Sequence, residues 1–356
     1  EQTAFLEADL HEGGVRQEPW IAIAGLDVVR DPDGHLRVLE DNVRTPSGLA
    51  YALAARELVG AELGLAAADG ADGADGAPLE IEARLRELLQ RVLARRPPHD
   101  DGDGVTVLLT DGERNSAFYE HRVLASLLGL ALVGVADLRR RAGRLWLRAD
   151  GRPVSVVYRR TDEERLREPG GRLTPFGELA LEPLREGTLR VVNGFGTGVA
   201  DDKLVYGCVE RMIEFYLGEQ PAIGSVATFD LGVREQREQA LERLEELVLK
   251  PRDGHGGTGV LIGPRASRRE LARARETLAR EPERWLAQET VVLSTHPTLI
   301  DGELVPRHVD LRPFVFYDGR EASVLAGGLT RVALREGSLI VNSSRSGGGK
   351  DTWVLA

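Results

Sequence analysis

Leu39-Glu40-Asp41-Asn42-Val43-Arg44-Thr45-Pro46-Ser47-Gly48 is the stretch that decides the fold. Glu40 and Asn42 are one residue apart, so on a strand both side chains point to the same face. A carboxylate and an amide oxygen on one face can hold a hard cation such as Mg²⁺, with phosphate oxygens and waters in the remaining positions. Immediately upstream, Gly25-Leu26-Asp27-Val28-Val29-Arg30 reads as the preceding strand and carries Asp27. Asp31-Pro32-Asp33-Gly34 between them has the composition of a hairpin turn. A β-hairpin over 21–44 follows, with arms at 21–29 and 36–42.

The partner expected for such a cluster lies some two hundred residues downstream. In Val248-Leu249-Lys250-Pro251-Arg252-Asp253-Gly254-His255-Gly256-Gly257-Thr258-Gly259-Val260 a strand delivers Lys250, and a glycine-rich loop follows. Glycines let the backbone approach phosphate and aim its N–H groups inward. A strand at 260–262 comes next rather than a helix, which excludes the P-loop and the dinucleotide fingerprint. A glycine-rich hairpin over ATP phosphates fits better, with Lys250 on an α- or β-phosphate; the bland alternative is a flexible turn. Lys203 follows Asp201 and Asp202, either of which can cap a helix carrying Val205, Val209, Met212 and Ile213. Taken alone, a lysine at a helix start is usually a solvated charge. Gln288-Glu289 after a strand at 285–287 could flank an adenine ring, its edge read by backbone groups. In Arg307-His308-Val309-Asp310-Leu311-Arg312-Pro313-Phe314, Asp310 shares one strand face with His308 and Arg312, and Arg331 ends a later strand. Charges repeated on a strand face line a polar site or form surface ion pairs on an edge, because burying them without partners is costly.

The chain has 356 residues, too many for one small core, and suggests two or three packed units. A net charge of −11 argues against a general nucleic-acid binder but not against nucleotide binding. Cys208 is the only cysteine, which excludes an intrachain disulfide and a cysteine metal centre. It is expected in a helix interior, as core rather than catalyst. No apolar run reaches membrane-spanning length and no signal-peptide segment opens the chain, so a reducing cytoplasm is the expected home. The sequence begins at Glu1 rather than Met, as a trimmed or excerpted chain would.

Residues 48–63 read as a helix from Leu49, Leu53, Ala54 and Leu58, and 79–96 as another from Leu85, Leu88, Leu89 and Val92. Residues 66–78 between them are a low-complexity Ala-Asp-Gly loop. After a Pro/Asp/Gly linker at 97–104 come a buried strand at 105–110, a loop at 111–116, and a helix with Tyr119, Val123, Leu124 and Leu127. Strands at 131–135, 145–147 and 154–159 follow, an order that implies an open α/β layer with a crevice at its strand C-termini. The expected division is 1–96, 105–195 and 196–356, the last packing against 1–65.

Taken together, Glu40 to Asn42 with Pro46 to Gly48, the run Thr197-Gly198-Val199-Ala200-Asp201-Asp202-Lys203, the loop after Lys250, Arg307 to Phe314 and 342–353 resemble circularly permuted ATP-grasp proteins. These are relatives of glutathionylspermidine synthase, often found in bacteria beside helical partner proteins, and they usually carry further sequence before the region that begins here. In an ordinary ATP-grasp chain the metal strand follows the nucleotide lysines; here it comes first. The resemblance implies an α/β ATP-grasp core with an adjoining open α/β domain, and ATP and Mg²⁺ as cofactors. Asp27, Glu40 and Asn42 would bind the metal, and Lys203 and Lys250 the phosphates, covered by Gly254, His255, Gly256, Gly257, Thr258 and Gly259. Gln288, Glu289 and Thr290 would flank adenine. Arg331 would face the transferring phosphoryl group, assisted by Arg312. Arg44 and Ser47 would face the acceptor, and Asn115, Glu120, His121, Arg159 and Arg160 in the α/β layer would hold substrate.

The activity implied is an ATP-dependent carboxylate–amine ligation on small molecules (amino acids, peptides or polyamines) through an acyl phosphate. No Ser-His-Asp or Cys-His set competes with it. Two alternatives stay open: a nucleotide-responsive partner protein without turnover, and phosphorylation of a non-carboxylate acceptor.

Overall fold

The computed structural model describes residues 18–64, 80–161, 166–168, 170–252, 259–338 and 347–355, together with Leu10 and Val341. The N-terminal hairpin forms as its alternation demands. β1 (Ile23–Arg30) and β2 (Leu36–Asn42) run antiparallel, with Gly25 opposite Asn42 and Asp27 opposite Glu40. The turn closes on Asp31: its carboxylate accepts from the His35 N–H at 2.8 Å and its carbonyl from the Gly34 N–H at 3.0 Å. Gly34 takes φ +91°, where a side chain would be strained. The register slips between Asp27 and Val28, placing a bulge beside the acidic pair, where bulges re-aim side chains.

The other edge of β1 pairs with β15 (Glu303–Tyr317), Gly25 opposite Phe314 and Val28 opposite Leu311. Beyond it lie β16 (Ala322–Val332) and β17 (Gly348–Lys350), while β9 (Gly224–Ser225) pairs in parallel with β2 and β14 (Thr295–Ile300) pairs with β15. Both ends of the chain thus share one seven-stranded sheet. A second register shift falls at Pro313, whose missing N–H cannot join the ladder.

The second sheet has the order β4 (Ala131–Val133), β3 (Val105–Thr110), β7 (Pro153–Arg160), β6 (Arg144–Leu147), β5 (Leu138–Arg141), with β8 (Arg190–Val192) also on β7. β3, β4, β7 and β8 pair in parallel, as expected for an open α/β layer. The strand expected over 131–135 stops at Val133, and Val135–Asp137 is a short 3-10 turn. A third, antiparallel sheet runs β10 (Thr228–Asp230), β13 (Trp285–Glu289), β11 (Leu247–Pro251), β12 (Leu261–Ile262).

Helices α1 (Leu49–Leu63), α2 (Glu82–Leu93) and α3 (Phe118–Leu128) fill the space between the first two sheets. Leu85, Leu88, Leu89 and Val92 of α2 are buried with Leu49, Leu124, Phe314, Phe316 and Leu329, so one core joins hairpin, helices and α/β layer. α4 (Pro175–Arg185) covers the far face of the second sheet. The helix expected around Val205 and Met212 is two: α5 (Lys203–Tyr206) and α6 (Val209–Leu217), separated at Gly207-Cys208. No residue of α6 is buried, and Cys208 at its start is half-buried. The expectation of a core cysteine is therefore corrected: α6 turns its apolar residues outward rather than into a core. α7 (Arg234–Glu242) and α8 (Arg268–Arg280) pack on the third sheet.

Asn193, absent from every sequence motif, bolts the first two sheets together. Its Oδ1 accepts from the Ala22 and Ile23 N–H groups, both at 2.9 Å, and its Nδ2 donates to the Ile23 and Val43 carbonyls at 2.7 and 2.6 Å. All four bonds are buried, and each backbone group left unpaired costs about 1–3 kcal/mol. Asn193→Ala is expected to lower the urea midpoint by an amount equivalent to roughly 3 kcal/mol or more with an unchanged slope.

Candidate functional site

The sequence-predicted groups converge where β1, β2, β15 and β16 meet α5 and β11. Lys203 Nζ lies 2.9 Å from Glu40 Oε1. Lys250 is buried on β11, and no hydrogen bond or ion pair reaches its ammonium among the described residues. Burial pulls its pKa down from 10.5 to about 8; neighbouring Glu40 opposes the shift and Lys203 adds to it. The unfolded chain therefore binds more protons here, and this group raises the stability of the ligand-free protein as pH climbs from about 8 to 10.5.

Asp27 sits across from Glu40, yet both its oxygens are occupied. Oδ1 accepts from Arg312 Nε at 2.6 Å, and Oδ2 accepts from Arg312 Nη2 at 3.0 Å and Arg331 Nη2 at 2.7 Å. Burial alone would raise this carboxyl, but the two guanidinium groups outweigh it and hold it at about 2. Arg331 also grips Asp310 through Nε and Nη2, both at 2.7 Å. Asn42 turns its amide nitrogen toward Asp27 Oδ1 at 3.4 Å, which leaves its oxygen for another partner. Asp41, on the opposite face of β2, is pushed up to about 6 by burial and by Asp201, Glu40 and Asp27.

The loop after β2 is held from three sides. Asp201 Oδ1 accepts from the Val43 and Arg44 N–H groups at 2.6 and 3.2 Å, and its Oδ2 pairs with Arg44 Nε at 2.5 Å. Arg160 donates to the Pro46 carbonyl and to Ser47 Oγ, both at 2.7 Å, and Arg312 Nη1 to the Ser47 carbonyl at 2.9 Å. Gly48 must be glycine: its φ is +129°, and a Cβ there would lie 2.9 Å from Leu329.

The residues assigned to substrate in the α/β layer are engaged with protein groups. Glu120 is fully buried; it accepts from the Gly48 and Ala50 N–H groups at 2.7 and 3.1 Å, capping α1, and pairs with Arg160. His121 Nδ1 meets Thr110 Oγ1 at 2.8 Å, and burial, reinforced by Arg160, drops its pKa to about 3, so the ring is neutral. Asn115 Oδ1 accepts from the Ala117 N–H and its Nδ2 donates to Asp111. The Arg159 guanidinium stacks 4.7 Å from the Phe195 ring centroid. Arg160 and Ser47 thus meet at the loop after β2, whereas Asn115 and His121 brace α3.

At the third sheet, Gln288 is buried, donates to Thr228 Oγ1 at 3.1 Å, and has no partner for its Oε1 among the described residues. Glu289 turns outward into a two-point contact with Arg243 and its N–H donates to the Ala227 carbonyl at 3.0 Å, while Thr290 Oγ1 donates to the Glu246 carbonyl, so neither side chain is left for an adenine edge. A cavity of about 420 Å³ is bounded by Arg37, Val226, Thr290 and Val292 beside this edge. Gly254, His255, Gly256, Gly257 and Thr258 lie outside the described residues, as do 342–346; Gly259 is described, at φ +78°.

Sequence reasoning missed three supports of the site. Asp201 and Asp202 both read as possible helix caps; the cap is Asp202, whose Oδ1 accepts from the Leu204 N–H, and Asp201 instead holds the loop after β2. Glu120 read as a substrate ligand and is a cap in trans. Asn193 gave no signal, since a lone asparagine at a strand end resembles any loop residue.

A seven-stranded sheet carrying Glu40 and Asn42, faced by a small antiparallel sheet carrying Lys250 with Lys203 between, has the layout of an ATP-grasp core. The chain belongs to the circularly permuted ATP-grasp type 2 family, whose family model matches residues 1–333. It is similar to the Frankia casuarinae protein named "Putative glutamate--cysteine ligase 2-2", at 46% identity over 345 residues, covering 94% of this chain and 38% of that protein. It is also similar to an uncharacterized Mycobacterium tuberculosis protein at 43% identity, covering 94% of this chain and 60% of that one. An uncharacterized Synechocystis protein is 41% identical, with 94% and 69% covered. The chain therefore spans 38% and 60% of the length of the Frankia and Mycobacterium relatives. Among the described residues, no helix is long and apolar enough to cross a membrane.

Proposed function

We propose that this chain is the ATP-binding and ligating unit of an enzyme that joins a carboxylate to an amine. The observation that carries the reading is Lys250: a buried ammonium without an anionic partner among the described residues, next to Lys203 and the Glu40–Asn42 face. A buried cation of this kind calls for an anion, and a polyphosphate supplies one along two lysines.

The donor set fits Mg²⁺: Glu40 offers a carboxylate and Asn42 a free amide oxygen, both hard ligands on one strand face. Asp27 is better suited to orienting Arg312 and Arg331, and would reach a cation only by releasing one of them. Held by Glu40 and Asn42, Mg²⁺ would offset the negative charge of the phosphates. The chain's own task is placement. Lys203 and Lys250 hold the phosphates, and Arg312, fixed by Asp27, and Arg331, fixed by Asp27 and Asp310, face the phosphoryl group in transfer. A substrate carboxylate oxygen attacks the γ-phosphorus, the β–γ bridging bond breaks and ADP leaves. An amine then attacks the acyl carbon, losing a proton, and phosphate departs. Arg44, Ser47 and Arg160 shape the acceptor side.

ADP release assayed with glutamate and cysteine, the pair named by the Frankia relative, and then with other amino acids and polyamines, tests this reading. Release that needs a carboxylate and an amine together supports it; tight Mg-ATP binding without release on any pair would favour a nucleotide-responsive binder instead. That second reading draws on Asp27, which ties up both arginines. A stable phosphorylated product would indicate a non-carboxylate acceptor.

The pKa of Lys250 adds a pH prediction. Only the ammonium form attracts phosphate, so Mg-ATP affinity should fall as pH rises above about 8. Calorimetry near that pH in buffers of different ionisation enthalpy should report proton uptake on binding. Proton release, or an affinity flat to high pH, would contradict the role of Lys250.

A further inference from the structure

Three consecutive residues reach three different parts of the cleft. Asp201 holds the acceptor loop through Val43 and Arg44, and Lys203 meets Glu40 on the metal strand. Asp202 reaches Arg252, two residues after Lys250. Its Oδ1 accepts from Arg252 Nε at 3.2 Å and its Oδ2 from Arg252 Nη2 at 2.8 Å. Arg252 stands at the root of the glycine-rich segment that covers 253–258, and its other groups tie it to its own side of the cleft. Its N–H donates to the Arg284 carbonyl and its Nη1 to the Glu283 carbonyl, both at 3.0 Å. A two-point contact therefore runs from Arg252, two residues after Lys250, to Asp202, beside Lys203.

The pair is half-buried, with side chains 21% and 11% exposed, a setting in which an ion pair contributes little to stability. It contributes geometry instead. Lys203 and Lys250 stand on separate elements, their ammonium groups repel each other, and both must reach one polyphosphate. An arginine fork fixes distance and angle together, which a single contact does not. We propose that Asp202 and Arg252 are positioning residues that set the spacing between Lys203 and Lys250, and that neither touches the nucleotide. The inference depends on the functional reading above and adds to it the device that aligns the two phosphate lysines.

The test is calorimetric titration of the whole chain with Mg-ATP and with adenosine, for wild type, Asp202→Asn, Arg252→Lys and the double variant. Asn keeps an N-cap acceptor for α5, and Lys keeps a charge, so each variant removes the fork while sparing the fold. Each single change is expected to weaken Mg-ATP binding about tenfold, leave adenosine binding and the thermal midpoint unmoved, and add nothing further in the double variant. Wild-type affinity in the single variants, additive losses in the double, or a parallel loss of adenosine binding would overturn the pairing. A wild-type chain that binds no Mg-ATP would instead overturn the nucleotide reading itself, so the two failures are told apart.

Discussion

Glu40→Gln is expected to reduce ADP release by about 10² to 10³-fold, the scale on which removing one preorganised electrostatic group slows a reaction. The change keeps the side-chain shape and β2 but removes the only carboxylate on the strand face that also carries Asn42. It also leaves Lys203 without its 2.9 Å ion pair. Lys250→Ala should fall on the same scale for a different reason: it deletes the buried positive charge that the phosphates would neutralise. The two variants separate in binding. Lys250→Ala should lose Mg-ATP affinity outright, whereas Glu40→Gln should retain metal-free nucleotide binding and lose its dependence on Mg²⁺. Circular dichroism and thermal melts matching wild type would show that the losses are local. Turnover that survives both substitutions would remove the residue assignment.

The largest stability effect is expected at Glu120. Its carboxylate caps two N–H groups at the start of α1 and is the counter-charge of buried Arg160. Glu120→Ala strands that guanidinium and both N–H groups at once, and breaking a buried pair from one side costs about 3–5 kcal/mol. Glu120→Gln keeps an acceptor for the cap and should cost visibly less. Because Arg160 also holds the Pro46 carbonyl and Ser47, the alanine variant should loosen the loop after β2, readable as faster amide exchange at Ser47 and Gly48. A Glu120→Ala midpoint equal to wild type would mean that Arg160 is satisfied elsewhere.

Much of this arrangement was legible from local pattern. Alternation in 36–42, the Asp-Pro-Asp-Gly turn and the helical spacing of Leu85, Leu88 and Leu89 are short-range signals, and each element formed within a few residues of its expected bounds. The strand that delivers Lys250 was legible as well: β11 runs Leu247–Pro251 with the lysine buried. Side chains whose partners lie far away in sequence were harder. Asp201 and Asp202 are equally good helix caps by type; only the fold shows that one caps α5 and grips Arg252 while the other, 158 residues from Val43, holds the loop after β2. Glu120 likewise looks like any acidic residue in a helix's first turn until α1 is placed against it. Apolar spacing misled at α6, where Met212, read with the apolar face of the helix, is 40% exposed. Periodicity reports that a helix has two faces, not that a core covers one of them.

The central claim is that one cleft, built from both ends of the chain, binds nucleotide and metal together. It is tested most directly by a crystal structure with a non-hydrolysable ATP analogue and Mn²⁺ in place of Mg²⁺, located by anomalous scattering. The account predicts a single anomalous peak in coordination contact with Glu40 and Asn42, with the phosphates on Lys203 and Lys250 and the adenine beside Gln288. Nucleotide bound elsewhere, or a metal peak away from β2 while Glu40 stays paired with Lys203, would contradict it.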